Sequence, residues 1–335
     1  MGTLRIGVVG TGAIGTEHAR TLARRVGGAT VTGVFDVDTA RAAALAAELS
    51  ATAHDSAEAL VASADVDAVV IASAGFAHAA QVHACLAAGK PVLCEKPLAS
   101  TLDDARAVVA AEAVGGRRLV QVGFMRRFDS GYREVKAAVD AGTIGVPLIV
   151  HCVHRNPGVP PGFTSEMAMT DSAVHEFDIV RWLLDDEPAA VRVLTPRRSP
   201  TALGEHHDPQ IAIVEMAGGA IVDIEVVLSS SYGYDVRCQV VGADGIATLE
   251  HPRLSSIVTA AGSTEGVPDS WQTRFGDTYR IELQAWVDSL VTGVPVGASA
   301  YDGYVATATA AAAVRALQTG ERIAVDLDER PALYR

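Results

Sequence analysis

The chain is 335 residues long and carries 27 Lys or Arg against 40 Asp or Glu, a formal charge of −13. That sign excludes a protein built to grip a nucleic-acid backbone or an anionic membrane surface, both of which need a basic footprint. Apolar residues at 49% and charged residues at 20% fit a globular protein, and at ~150 residues per domain the length predicts two domains.

Through residue 123, short apolar runs alternate with Ala-rich helical stretches. The pattern predicts strands at Leu4–Gly10, Thr30–Asp36, Ala68–Ala72, Pro91–Glu95 and Leu119–Gly123, with helices at Ile14–Arg25, Thr39–Leu49, Ala77–Ala88 and Leu102–Ala113. Strands that are apolar throughout and separated by helices make a parallel sheet covered on both faces. Residues 1–123 are therefore expected to form a doubly wound Rossmann domain. Residues 124–335 read differently. A helix is predicted near Gly131–Ala141, a strand at Pro147–Arg155 and a helix at Met169–Leu184. Strands at Gln210–Met216, Ala220–Leu228, Val236–Val241 and Ile246–Glu250 follow, with turn signals at Ala217–Gly219 and Gly242–Gly245. Period-two alternation, as in Val222, Ile224 and Val226 against Asp223 and Glu225, predicts a sheet with one buried face. Helices at Tyr279–Leu290 and Tyr301–Leu317 close an α+β domain.

No uncharged apolar run approaches the ~18 residues of a membrane span. MGTLRIGVVG leads straight into a strand without the profile of a signal peptide, and Ile6 stands where a myristoylation signal has Ser or Thr. A cytoplasmic protein is expected. Cys85, Cys94, Cys152 and Cys238 show no C-x-x-C spacing and read as reduced buried thiols.

Gly10-Thr11-Gly12-Ala13-Ile14-Gly15 fits G-x-G-x-x-G between a predicted strand and a predicted helix. In that setting Gly10 permits the tight turn, Gly12 lets backbone approach a pyrophosphate, and Gly15 lets helix and strand pack closely. The helix N-terminus supplies unpaired N–H groups for the phosphates. Asp36 ends the second strand, where a carboxylate accepts from both ribose hydroxyls and repels a 2′-phosphate, so NAD is expected rather than NADP.

Only Lys90, Lys96 and Lys136 among the 27 basic residues are lysine. Lys96 follows an apolar parallel strand, at the edge where doubly wound sheets bind ligands. A compact ammonium there can donate to one hydroxyl oxygen in a way guanidinium cannot. Glu95 beside it is either an acid catalyst or a strand-end residue turned away. Asp171, His175 and Asp178 lie along one helical stripe, which is either a solvated face or an imidazole oriented by a carboxylate to take a proton. His151-Cys152-Val153-His154-Arg155-Asn156-Pro157 closes a strand with polar side chains that are costly in a sheet interior unless they face ligand or water. Two motifs are set aside. Tyr132-Arg133-Glu134-Val135-Lys136 matches Y-x-x-x-K but continues an amphipathic helix, and His206-His207-Asp208 reads as a solvated loop, not a metal site.

The motifs GTGAIG, CEKP, GFMRRFD, HRNP, D-x-x-x-H at Asp171/His175 and SYGYD at 231–235 resemble the Gfo/Idh/MocA oxidoreductases, from the first strand to the last helix. HRNP, D-x-x-x-HE and YGYD are most similar to the members that oxidise inositols. The resemblance implies a second domain with a large open, mainly antiparallel sheet, and a homotetramer formed through that sheet. It implies NAD contacts from Gly10, Gly12, Ala13, Ile14, Gly15, Asp36, Val37, Ser73, His78, Glu95 and Lys96. Lys96, Asp171 and His175 become the catalytic triad, and Arg126, His154, Asn156, Ser172, Asp178, Tyr234 and Tyr279 join them around a polyol. The implied reaction is NAD-dependent oxidation of myo-inositol to 2-keto-myo-inositol, with no metal. The stretches 158–169 and 196–208 depart from the family pattern. The rivals are an aldose or deoxy-sugar dehydrogenase of the same fold and a non-catalytic NAD-binding sensor.

Overall fold

The computed structural model describes residues 2–202, 204–249 and 256–335. In chain order these form β1 (Leu4–Val9), α1 (Ala13–Arg24), β2 (Ala29–Phe35), α2 (Thr39–Leu49), β3 (Thr52–Ala53) and α3 (Ala57–Ala62). There follow β4 (Ala68–Ile71), α4 (Gly75–Ala87), β5 (Val92–Glu95), α5 (Leu102–Gly115) and β6 (Val120–Gly123). A 3-10 turn, Met125–Phe128, precedes α6 (Ser130–Asp140) and β7 (Pro147–Arg155). A π-helical turn, Ala168–Ser172, then runs into α7 (Val174–Leu184), followed by β8 (Pro188–Leu194), β9 (Gln210–Met216) and β10 (Ile221–Val227). Next are β11 (Asp235–Gly242), β12 (Ile246–Leu249), and the hairpin of β13 (Ser256–Thr259) and β14 (Gly262–Glu265). The last elements are α8 (Trp271–Thr292), β15 (Ala298–Ser299), α9 (Ala300–Thr319) and β16 (Ile323–Ala324).

These elements gather into two compact units, and neither follows a single cut after residue 123. One is built from Met1–Phe128, Asp277–Thr307 and Asp328–Arg335, the other from Asp129–Gly276 and Ala308–Leu327. The late segments join the first unit for a packing reason. Leu283, Trp286 and Val287 of α8 complete a core with Ile6, Val8, Leu22 and Val34, and β15 pairs antiparallel with β6.

The sheet of the first unit has the order β15-β6-β5-β4-β1-β2-β3, and every pairing except that of β15 is parallel. Helices cover both faces, so β4, β5 and β6 are buried along their whole length. The chain winds outward from β1 to β3, then jumps to β4 on the other side of β1. That reversal opens a crevice beyond the C-terminal ends of β1 and β4, where ligands of such sheets bind.

The sheet of the second unit has the order β12-β11-β7-β10-β9-β8-β16. Only β7 and β10 run parallel; the other pairings are antiparallel. Val150, Cys152 and His154 on β7 share the buried face with Val222, Ile224 and Val226 on β10. The opposite face carries cross-strand polar pairs, a hydrogen bond between His151 and Asp223 and an ion pair of Arg155 with Glu225.

The predicted Y-x-x-x-K helix is α6. Its Tyr132 is buried, and Lys136 pairs with Asp140 and lies over the Trp182 ring at 5.8 Å. All four cysteines are buried and none forms a disulfide. Burial pushes the Cys85 thiol up to about 12 and the Cys94 thiol well above its ordinary value, so both stay protonated and unreactive. No helix among the described residues is long and apolar enough to cross a membrane.

Candidate active site

Gly10 follows β1 with φ +90°, and a Cβ there would lie 2.5 Å from the Ala72 carbonyl after β4. A Cβ on Gly15 would lie 2.0 Å from the Gly10 oxygen. Both positions therefore require glycine. Gly12 is different: a Cβ there meets nothing within 4 Å. It caps α1 without a side-chain hydrogen bond, and the first turn, opening with Ala13 and Ile14, holds no acid. The helix thus presents uncapped N–H groups to open space, the cradle a pyrophosphate requires.

Asp36, 6% exposed, ends this crevice. Its Oδ2 accepts from the Thr11 N–H (2.6 Å) and hydroxyl (3.0 Å), and its Oδ1 from the Asp38 N–H and Arg41 Nη2 (2.9 Å each). Burial opposes ionisation, but Arg41, Asp38 and Thr11 outweigh it and lower the carboxyl to about 2. Asp36 is a carboxylate at any working pH. Val37 beside it is 89% exposed, a large apolar side chain left on the surface at the crevice mouth. Arg41 and Thr11 were not singled out in the sequence, although Arg41 stands only five residues beyond the acid.

The backbone around Lys96 is pinned on both sides. Glu95, 6% exposed, contacts His18 Nε2 at 2.7 Å through one oxygen and accepts from the Lys96 N–H at 3.2 Å through the other. Gly123 makes room for it, since a Cβ there would lie 3.1 Å from the Glu95 carboxyl carbon. On the far side, the His78 imidazole sits between the Pro97 carbonyl (2.7 Å) and the Ser73 carbonyl (3.0 Å). The Ser73 hydroxyl donates to Gln81. Lys96 itself is half-buried at the end of β5. Tyr279 packs its ring edge-on to His18 at 5.6 Å, and Arg126 is 1% exposed in the turn after β6. His18, 77 residues from its partner Glu95, has no sequence signal that would have flagged it.

In the second unit the expected single helix Met169–Leu184 is two elements. The Ala173 N–H bonds the Ala168 carbonyl at 2.9 Å, an i→i+5 closure that opens the π turn before α7 begins. Asp171 stands on that turn and is exposed, while Ser172 is buried. His175 (9% exposed) and Asp178 (1%) lie in α7, whose residues 174–181 are all buried, so of that stripe only Asp171 meets solvent.

His154 holds the buried face of β7 and is satisfied by Glu176, whose oxygens lie 2.9 and 3.1 Å from Nδ1. The His154 ring is 6.4 Å from the rings of both His175 and Tyr234, and Tyr234 meets Phe275 edge-on at 6.2 Å. Asn156 continues from the strand with its Oδ1 buried and without a hydrogen-bond partner among the described residues. His154, His175 and Tyr234 are thus brought together. Glu176, which holds His154, is a further residue that sequence reasoning passed over, although it directly follows His175.

In the loop expected to be solvated at His206–Asp208, His206 (2% exposed) and Asp208 (1%) are buried and only His207 stays partly exposed. The reason is that Asp208 serves as an acceptor inside the unit, taking the Leu228 N–H at 2.7 Å and the Ser229 hydroxyl.

Residues 4–124 match the model of the Gfo/Idh/MocA oxidoreductase family's NAD-binding Rossmann fold, and residues 136–325 match that family's C-terminal alpha/beta domain. The chain belongs to this family of oxidoreductases, and its first unit carries the NAD-binding fold. It is 48% identical over 332 residues to inositol 2-dehydrogenase 3 of Saccharopolyspora erythraea, covering 99% of this chain and 98% of that one. Inositol 2-dehydrogenase of Agrobacterium fabrum is 46% identical over 335 residues, 99% of each chain. Among solved structures, myo-inositol dehydrogenase from Lactobacillus casei, in complex with NAD(H) and myo-inositol, superposes with a TM-score of 0.97 at 37% identity, covering 99% of this chain and 100% of that one.

Proposed function

We propose that this chain oxidises a cyclic polyol with NAD⁺, taking myo-inositol to 2-keto-myo-inositol. What carries the reading is full-length likeness to inositol 2-dehydrogenases together with the D-x-x-x-H and E-K-P positions in the settings described above. Bound NAD⁺ supplies the acceptor for the hydride that leaves the carbinol carbon. The hydroxyl proton goes to His175, Asp171 orients that imidazole and stabilises its cationic form, and the Lys96 ammonium donates to the reacting oxygen as charge develops. His154, Asn156, Ser172, Asp178, Tyr234, Arg126 and Tyr279 recognise the remaining hydroxyls. The buried Asn156 Oδ1 suits that task, because a ring hydroxyl can donate to an acceptor that no described residue satisfies.

The test is an NADH-absorbance screen of inositols against aldoses. Turnover of myo-inositol is expected; oxidation of aldoses with no inositol turnover would assign the chain to sugar dehydrogenation, and no turnover at all to a sensor.

Cofactor choice rests on Asp36. Replacing it with alanine removes the charge that repels a 2′-phosphate and frees the half-exposed Arg41 guanidinium to pair with one. The ratio of kcat/KM for NAD to that for NADP should fall at least tenfold in Asp36→Ala, and adding Arg41→Ala should return part of it. Equal wild-type kcat/KM with both cofactors would refute the assignment.

We further propose a cytoplasmic homotetramer assembled through the outer face of the second unit's sheet. That face sets Ile149 and Ile221, 39% and 40% exposed, among the cross-strand polar pairs. Light scattering on the purified protein should give four times the chain mass, and Ile149→Asp with Ile221→Asp should lower it.

A further inference from the structure

A cavity of about 300 Å³ opens in the first unit at the N-terminal edge of the parallel strands, opposite the edge that carries Gly10, Asp36 and Lys96. Its apolar wall comes from Pro91 before β5, Leu119 before β6, Trp286 and Leu290 on α8, and Val296. Its polar lining includes Arg118, Gln121 and Ser289, none of which serves the reaction proposed above.

Gln121 is the informative residue. It is 4% exposed, and neither its Nε2 nor its Oε1 has a hydrogen-bond partner among the described residues. A buried amide left unpaired at both ends is costly, and a leucine would fill the same volume without that cost. The fold nevertheless makes way for it. Gly297 has φ +67°, and a Cβ there would lie 2.9 Å from the Gln121 amide carbon. Arg118 Nε is also buried and has no partner among the described residues. The carboxylate whose charge it faces, Glu112, is already taken by the N–H groups of Leu119 and Val120 (2.6 Å each) and the Tyr334 hydroxyl (2.5 Å). The Ser289 hydroxyl donates to the Trp286 carbonyl at 2.6 Å and keeps its lone pairs free to accept.

We propose that this cavity is a second ligand site, for a small organic acid that also bears an amide or lactam edge. The carboxylate pairs with Arg118. The edge offers a donor beside an acceptor and pairs both ways with the Gln121 amide, while the body of the molecule lies on the apolar wall.

The test uses isothermal titration calorimetry on the full chain with 4-carbamoylbenzoate and succinamate as probes, and terephthalate and benzamide as half-ligands. At least one probe should bind once per chain with Kd below about 1 mM, the value for some dozen atoms at ordinary ligand efficiency. Each half-ligand should bind at least tenfold more weakly, and saturating NAD should not displace the probe. Gln121→Leu and Arg118→Leu should each weaken the probe at least tenfold while leaving NAD affinity within twofold. Without ligand, Gln121→Leu should raise the melting midpoint by a degree or more, because an orphaned amide has been removed. The proposal is overturned if neither probe binds at about 10 mM, if NAD displaces the probe, or if both variants bind it unchanged. A Gln121→Leu protein that melts lower and loses NAD affinity would make Gln121 a packing residue, and that too would overturn it.

Discussion

Replacing His175 with alanine is expected to lower kcat by about 10²–10⁴-fold, the usual contribution of a positioned general base. NAD affinity should stay within twofold, because the glycine turn and Asp36 belong to the other compact unit. The wild-type kcat should rise with pH along a limb that the variant lacks. Since His175 is 9% exposed, its truncation also leaves a hole, and a melting curve must accompany the kinetics. Asp171→Asn should cost a smaller factor, since the amide keeps a hydrogen bond but not the charge that stabilises imidazolium. Glu176→Gln supplies a separate readout. It weakens the acceptor that holds His154, so KM for the polyol should rise more than kcat falls. Retention of most kcat in His175→Ala would place the proton acceptor elsewhere.

Lys96→Ala should be nearly as damaging, and Lys96→Arg should fall within about tenfold of it. Conservation of charge does not help here, because the neighbouring backbone cannot yield. Glu95 is tied to His18 on one side and the Pro97 carbonyl to His78 on the other, so a longer planar cation must misplace the hydroxyl it touches. An ångström of misplacement is enough for a loss of about 10² in rate. Lys136→Arg is the control. That lysine already has Asp140 and the Trp182 ring, and kcat should move by less than twofold. Steady-state kinetics on the three variants decide the matter: a Lys96→Arg enzyme with near-wild-type kcat would reduce Lys96 to a generic positive charge.

The parallel strands of the first unit and the alternating strands of the second are legible because their burial repeats with the period of the element. Thr39–Leu49 and Pro147–Arg155 are predicted to the residue. Elements too short to show a period are not legible. The two-residue strands β3, β15 and β16 and the six-residue α3 fall in that class. The π turn before α7 escapes for another reason: one extra residue per turn leaves the apolar pattern on either side intact. At the candidate site, motifs locate the residues proposed to face a ligand but not the ones that hold them. Asp36, Glu95 and His154 are visible from spacing and setting. Their holders Arg41, His18 and Glu176 are ordinary charged or helical residues whose partners are decided by tertiary contact. His206 and Asp208 mislead because glycine and proline neighbours mark a turn, and a turn is usually solvated; here Asp208 is drawn inward by the backbone it caps.

The discontinuity of the first unit bears on its assembly during synthesis. Leu283, Trp286 and Val287 share a core with Ile6, Val8 and Leu22, yet they are made about 160 residues after Phe128, the end of the opening segment. At a ribosomal pace of ~5–20 residues per second, the nascent N-terminal sheet waits roughly 8–30 s for the side chains that close it. Through that interval Leu22, Val31 and Val34 lack part of their cover, and the second unit's sheet emerges before the first is finished. The nucleotide-binding fold is thus begun before the second unit and completed only after most of it, and a chaperone that shields apolar surface would find a long opportunity at α1 and β2.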